Sequence, residues 1–246
     1  MHKIFGYECR RLLLNKFFFG ILLIILFYGW QVLSERTLPG ISRTAPFSAW
    51  SFGDYLSRML PLLWIGALFF LTFFTSSRAR RTAVLTDAAP APPLQYALIR
   101  CAAASLGVFL LALACLAEAA VFYGYCFGWY DWSGLALPAL ITLAPPLIFA
   151  LGSGWFLGRI DPRLIYVWMP VPFLCSVLPL PEATGMLSAS FFTEYPLALE
   201  MTDPAFSLPL SVLSFQLILA AAGIAFLLLP ALRWKRKNTL SCTLHF

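Results

Sequence analysis

What most constrains this chain is where charge is missing. Six stretches run for 18 residues or more with at most one charged side chain: 17–34, 59–77, 101–130, 132–158, 164–181 and 204–232. A helix rises about 1.5 Å per residue, so roughly 20 apolar residues cross the hydrocarbon layer of a bilayer. A water-soluble domain carries about 25% charged residues. Here only 11% of 246 residues are charged and 61% are hydrophobic, with a mean hydropathy of +0.82. So few solvated groups cannot cover a surface in water. The chain therefore reads as one all-α integral membrane domain, residues 1–246. Its six transmembrane helices are expected at about 17–34, 57–75, 99–127, 134–158, 163–180 and 208–232.

Prolines fall inside several of these segments, at Pro61, Pro138, Pro145, Pro146, Pro170 and Pro172. Membrane helices accept them where neighbours re-satisfy the freed carbonyls. The fifth segment, LIYVWMPVPFLCSVLPLP, reads as a kinked or partly re-entrant span.

Orientation follows from Lys and Arg. With six spans both termini share a side. That side collects Lys3, Arg10, Arg11, Lys16, Arg78, Arg80, Arg81, Arg100, Arg159, Arg163, Arg233, Lys235, Arg236 and Lys237, fourteen of the seventeen basic residues. The other side receives Arg36, Arg43 and Arg58, and its largest loop, 181–207, holds Glu182, Glu194, Glu200 and Asp203. Both termini are thus expected in the cytoplasm, in a multi-pass protein of the cell membrane, bacterial in type. The apolar core of the first segment exceeds that of a cleaved signal, and no A-x-A site follows it.

Several chemistries lack material. The six cysteines form no C-x-x-C pair, and the two histidines, His2 and His245, lie at the termini. No metal site or disulfide framework is expected. GSGWFLGR, residues 152–159, lacks the spacing and the lysine of a phosphate-binding loop. Its Gly154 and Gly158 instead form a GxxxG pair that lets two helices approach closely. No catalytic residue can be assigned, so the chain reads as a non-enzyme, and nothing in it points to nucleic acid.

Glu118 is the one ionisable residue deep in a span. A carboxylate there is costly and must face a bundle interior or a watery cavity. It reads either as a group that contacts substrate or protons, or as a glutamate satisfied by donors of a neighbouring helix. With Tyr123, Tyr125 and Trp155 it suits hydrophobic or cationic cargo.

Two flanking segments are distinctive. Residues 1–16 place Phe5, Cys9, Leu12 and Leu13 on one stripe, with Lys3, Arg10 and Arg11 mostly elsewhere, as in a basic amphipathic helix of the headgroup layer. The segment 76–97, within SSRARRTAVLTDAAPAPPLQYALIR, pairs a short helix-compatible stretch with a proline break. It reads as a docking element for a soluble partner, or as a basic loop pinned to anionic lipid. The outer loop 181–207 reads as short interfacial helices over the bundle.

Taken together, YECRRLLLNKFFFGILLI, the Arg-rich loop after the second span, the long outer loop and a last span ending in RWKRK resemble the permease subunits of type-2 ABC transporters. The likeness is one of layout over nearly the whole chain; RARRTA stands where that family commonly carries an acidic-glycine turn. The resemblance implies a coupling segment in which Arg78, Arg80, Arg81, Thr82, Leu85, Asp87 and Gln95 meet separate ATPase subunits. ATP and magnesium would be held by those partners, with no cofactor in this chain. It also implies a second permease, identical or related, and export of a hydrophobic or amphipathic substrate such as a peptide, lipid or drug. An ATP-independent transporter or channel would want internal repeats and more polar groups at mid-membrane. A binding-only membrane immunity protein is the other alternative.

Overall fold

The computed structural model describes residues 2–75, 93–178, 181–199 and 201–243, and every regular element among them is helical. Helix α1 is His2–Leu13 and α2 is Lys16–Val32, which continues as a π-helical turn through Thr37. Next come α3 (Ala49–Thr75), α4 (Pro93–Phe127), α5 (Ala136–Ile160), α6 (Pro162–Trp168) and α7 (Val171–Val177). A 3₁₀ turn at Glu182–Leu187, α8 (Ser190–Ala198) and α9 (Leu210–Thr243) complete the chain.

Among the described residues, five helices are long and apolar enough to cross a membrane: 16–37, 49–75, 95–127, 133–160 and 210–229. The protein has the helices of a multi-pass membrane protein. The expected span at 163–180 differs. It is two seven-residue helices that meet at Met169 and Pro170. Pro170 and Pro172 each lack an N–H, so two rungs of the helical ladder cannot form, and the helix restarts from Pro170. The carbonyl of Pro170 then accepts from both Phe173 and Leu174, each at 3.1 Å.

The second span also differs from expectation, beginning at Ala49 and not near residue 57. Arg58 looks like a boundary in the sequence, yet its guanidinium forks onto the Asp54 carboxylate one turn earlier, at 2.7 and 3.1 Å. The i,i+4 pair neutralises itself and the helix carries it.

Helix α3 is the centre of the bundle, with 67% of its most apolar window buried against 22% for α9. On one side α5 packs between α3 and α9, and on the other lie α4, α2 and α1. Helix α6 folds back along α5, tied by a hydrogen bond from Trp168 Nε1 to Ser153 Oγ at 3.0 Å. At the end away from α1, residues 41–51, 186–199 and 201–212 build a cap. Trp50, Met186, Phe191, Phe192 and Val212 form its small core. Trp50 Nε1 donates to the Pro204 carbonyl at 2.8 Å and Ser42 Oγ to the Thr193 carbonyl at 2.6 Å.

Bare backbone sets the closest helix approach. The added Cβ of any residue at position 152 would run into the Gly223 carbonyl oxygen, so α5 and α9 touch backbone to backbone. Gly154 and Gly158 serve other contacts: Gly154 receives Leu68 and Leu71 of α3, and Gly158 receives Thr75 and Ile165.

Candidate functional site

The first part of the site is at the α1 end. Asn15 breaks α1 from α2 and caps α2, its side chain accepting from Phe17 N at 3.3 Å. This lets α1 turn its stripe onto the bundle: Cys9 and Leu12 are buried, while Lys3, Arg10 and Arg11 are exposed. Leu12 lies over Gly107 of α4, beside Phe70 of α3. The same face buries Glu8, whose carboxylate lies 3.5 Å from Arg100 Nε of α4 and 3.7 Å from Arg11 Nη1. Neither Glu8 Oε2 nor Arg100 Nε has a hydrogen-bond partner, so the attraction is that of two charges held close, without the forked geometry of Asp54 and Arg58. The Arg100 guanidinium also stacks 4.7 Å over the Tyr96 ring.

The second part is Glu118, in the last third of α4, nine residues before its end at Phe127. Tyr55 of α3 donates to its Oε2 at 3.3 Å and lies 3.1 Å from the Cys115 carbonyl. From α2, Gly29 presents bare backbone: a Cβ there would collide with Glu118 Oε2. Three helices therefore meet at one carboxylate. Beside it, between α2 and α4, opens a groove of about 890 Å³ lined by Phe19, Phe27, Trp30 and aliphatic side chains, with Glu118 the one ionisable group among the described residues of its wall.

Tyr123 and Tyr125, grouped with Glu118 as residues of a substrate pathway, do not line this groove. Tyr123 is fully buried in an aromatic cluster with Phe52, Phe127, Trp129 and Trp132. Tyr125 is 85% exposed. Trp155 lies under the Arg159 guanidinium, which sits 5.3 Å from its ring. Of the expected coupling residues, Arg78, Arg80, Arg81, Thr82, Leu85 and Asp87 fall outside the described residues; Gln95 is exposed in the first turn of α4.

Sequence reasoning missed Glu8, Asp54 and Tyr55. For Glu8 a signal was present, since it is the acid beside Cys9 on the apolar stripe. Asp54 and Arg58 were visible as an i,i+4 pair of opposite charge. Nothing local marks Tyr55 as the partner of Glu118, 63 residues away. No cluster of His, Cys, Asp or Glu suited to a metal ion occurs among the described residues.

Comparison with family models, with curated proteins and with solved structures finds no match for the chain.

Proposed function

We propose that this protein is the membrane-spanning permease of an ATP-driven exporter, of the type-2 ABC kind, working with ATPase subunits encoded separately. One observation carries the reading: α1 is clamped onto the base of α4, through Leu12 on Gly107 and Glu8 beside Arg100. Residues 76–92 lead directly into that base. A partner that engages the basic segment would therefore push on α4 and on the α1 packed against it, and through Leu12 and Phe70 on the central helix α3.

In this reading the segment 162–177 completes six crossings as a broken span, both termini are cytoplasmic, and the membrane is the bacterial cell membrane. A second permease, identical or related, closes the pathway, and ATP with magnesium belongs to the ATPases. The substrate is hydrophobic or amphipathic, as the apolar walls near Glu118 suit.

The test is purification of the tagged protein from its native membrane in mild detergent, with identification of co-purifying proteins and an ATPase assay. The reading expects an ATPase that co-purifies and is lost when Arg78, Arg80 and Arg81 are replaced by alanine in a chain that still folds. A permease that brings no ATPase, even after crosslinking in the membrane, overturns it.

A further inference from the structure

We propose that the open groove between α2 and α4 binds amphipathic organic cations from the bilayer, with Glu118 as counter-charge and Phe19, Phe27 and Trp30 as its aromatic wall. As a substrate site this rests on the permease reading; as a binding site it belongs to the chain alone.

Four observations converge. First, a carboxylate at this depth is expensive, and a purely structural one would turn both oxygens into the bundle. Glu118 instead remains partly exposed. Its Oε2 takes the Tyr55 hydroxyl, with the Trp30 backbone alongside, and the side chain lines the groove. Second, the α2 position that meets the carboxylate is Gly29, whose missing side chain lets Glu118 Oε2 pack on the α2 backbone and so holds the group in the seam between α2 and α4. Third, the open groove offers about 890 Å³ along α2 and α4, room for a molecule of several rings laid against the two helices. Fourth, the aromatic wall is displayed. Phe27 is 73% and Trp30 49% exposed, and Phe122 meets the Trp30 ring in a T-shaped contact with centroids 5.4 Å apart.

Charge complementarity selects the occupant. Apolar walls alone would accept any lipid chain. One carboxylate with aromatic faces around it favours a cation on an apolar body, by ion pairing and by cation–π attraction in a medium that screens neither. Tyr55 holds the carboxylate from behind by its hydroxyl and is a positioning residue. The groove opens sideways, so a ligand dissolved in the bilayer reaches it without crossing the bundle.

The test uses the full chain in lipid nanodiscs and the probe tetraphenylphosphonium, with its neutral and anionic shape-mates tetraphenylsilane and tetraphenylborate as competitors. Binding of labelled tetraphenylphosphonium is expected to weaken by about tenfold or more in Glu118→Gln, the loss of one ion pair away from water. It is also expected to be blocked in Val121→Trp, which fills the groove and leaves Glu118 in place. Neither shape-mate should compete well. Gel filtration and thermal melting confirm that each variant folds; if Glu118→Gln fails to fold, Val121→Trp and the competitors decide. Equal binding in Glu118→Gln or Val121→Trp, or tetraphenylborate competing as well as the cation, overturns the proposal. So does a disulfide-linked dimer through Leu23→Cys, which would assign the groove to a second copy. Cation binding without a co-purifying ATPase leaves the site standing and removes the exporter. An ATPase without Glu118-dependent binding does the reverse.

Discussion

Replacing Gly223 by alanine tests whether the contact of α5 with α9 is as close as the structure places it. A Cβ at position 223 would lie 2.7 Å from the Ile148 carbonyl oxygen and from the N and Cα of Phe149. Ordinary van der Waals contact begins at 3.4 Å, so the helices must part by about 0.7 Å at the crossing. All three obstacles are backbone atoms, and no rotamer change relieves them. Helix association in hydrocarbon depends on close packing, because lipid tails are as apolar as leucine. Overpacking of this kind costs about 1–3 kcal/mol. The separation would also loosen Phe226, whose ring meets Phe156 at 5.3 Å and Phe149 at 6.1 Å between centroids. Unfolding in mixed micelles of increasing SDS fraction measures the loss. Gly20→Ala is the control: its added Cβ meets nothing within 4 Å, and alanine is the better helix former by about 1 kcal/mol. Gly223→Ala should unfold earlier than the parent and Gly20→Ala no earlier. If Gly223→Ala matches both the parent and the control, the backbone-to-backbone crossing is wrong.

Removing the Glu8–Arg100 pair should be asymmetric. Arg100→Gln leaves a carboxylate that is 3% exposed facing, among the described residues, only the half-exposed Arg11, and should cost about 3 kcal/mol. Glu8→Gln leaves an arginine that can extend to the membrane surface, and should cost about 1 kcal/mol. Thermal melting in detergent checks the order, and equal losses would refute the burial argument. Cysteine alkylation reads two further features. Burial, and then the Glu8 charge beside it, push the Cys9 thiol above its ordinary value, so at neutral pH it is mostly protonated and should react slowly with maleimide. Raising the pH through the shifted value should speed the reaction. Cys126 is exposed at the far end of α4. In the proposed orientation a membrane-impermeant maleimide should label it in intact cells, and Cys126→Ser should abolish that labelling.

How much of this was legible beforehand varies by element. Four of the five long helices lie within a few residues of their expected starts, because each is a run of apolar residues bounded by charge or proline, a local property. The second starts eight residues earlier than expected, since Asp54 and Arg58 cancel each other inside the helix. The fifth segment was readable as irregular from Pro170 and Pro172; that its first half, α6, folds back along α5 depends on Trp168 reaching Ser153. The GxxxG pair Gly154 and Gly158 marked α5 as a packing helix, but the closest backbone approach uses Gly152 and a glycine 71 residues away.

The sequence by itself determined the solvent, the helical class and the ends of most helices, because hydrocarbon forbids unpaired backbone and charge is costly there. It also marked Glu118 as an exceptional residue. Only the tertiary structure decided what surrounds that carboxylate. Tyr55, Gly29 and Trp30 come from two other helices, and their meeting depends on how α2, α3 and α4 rotate and cross. Helix rotation is set by the summed packing of many side chains, none of which announces its partner in the sequence.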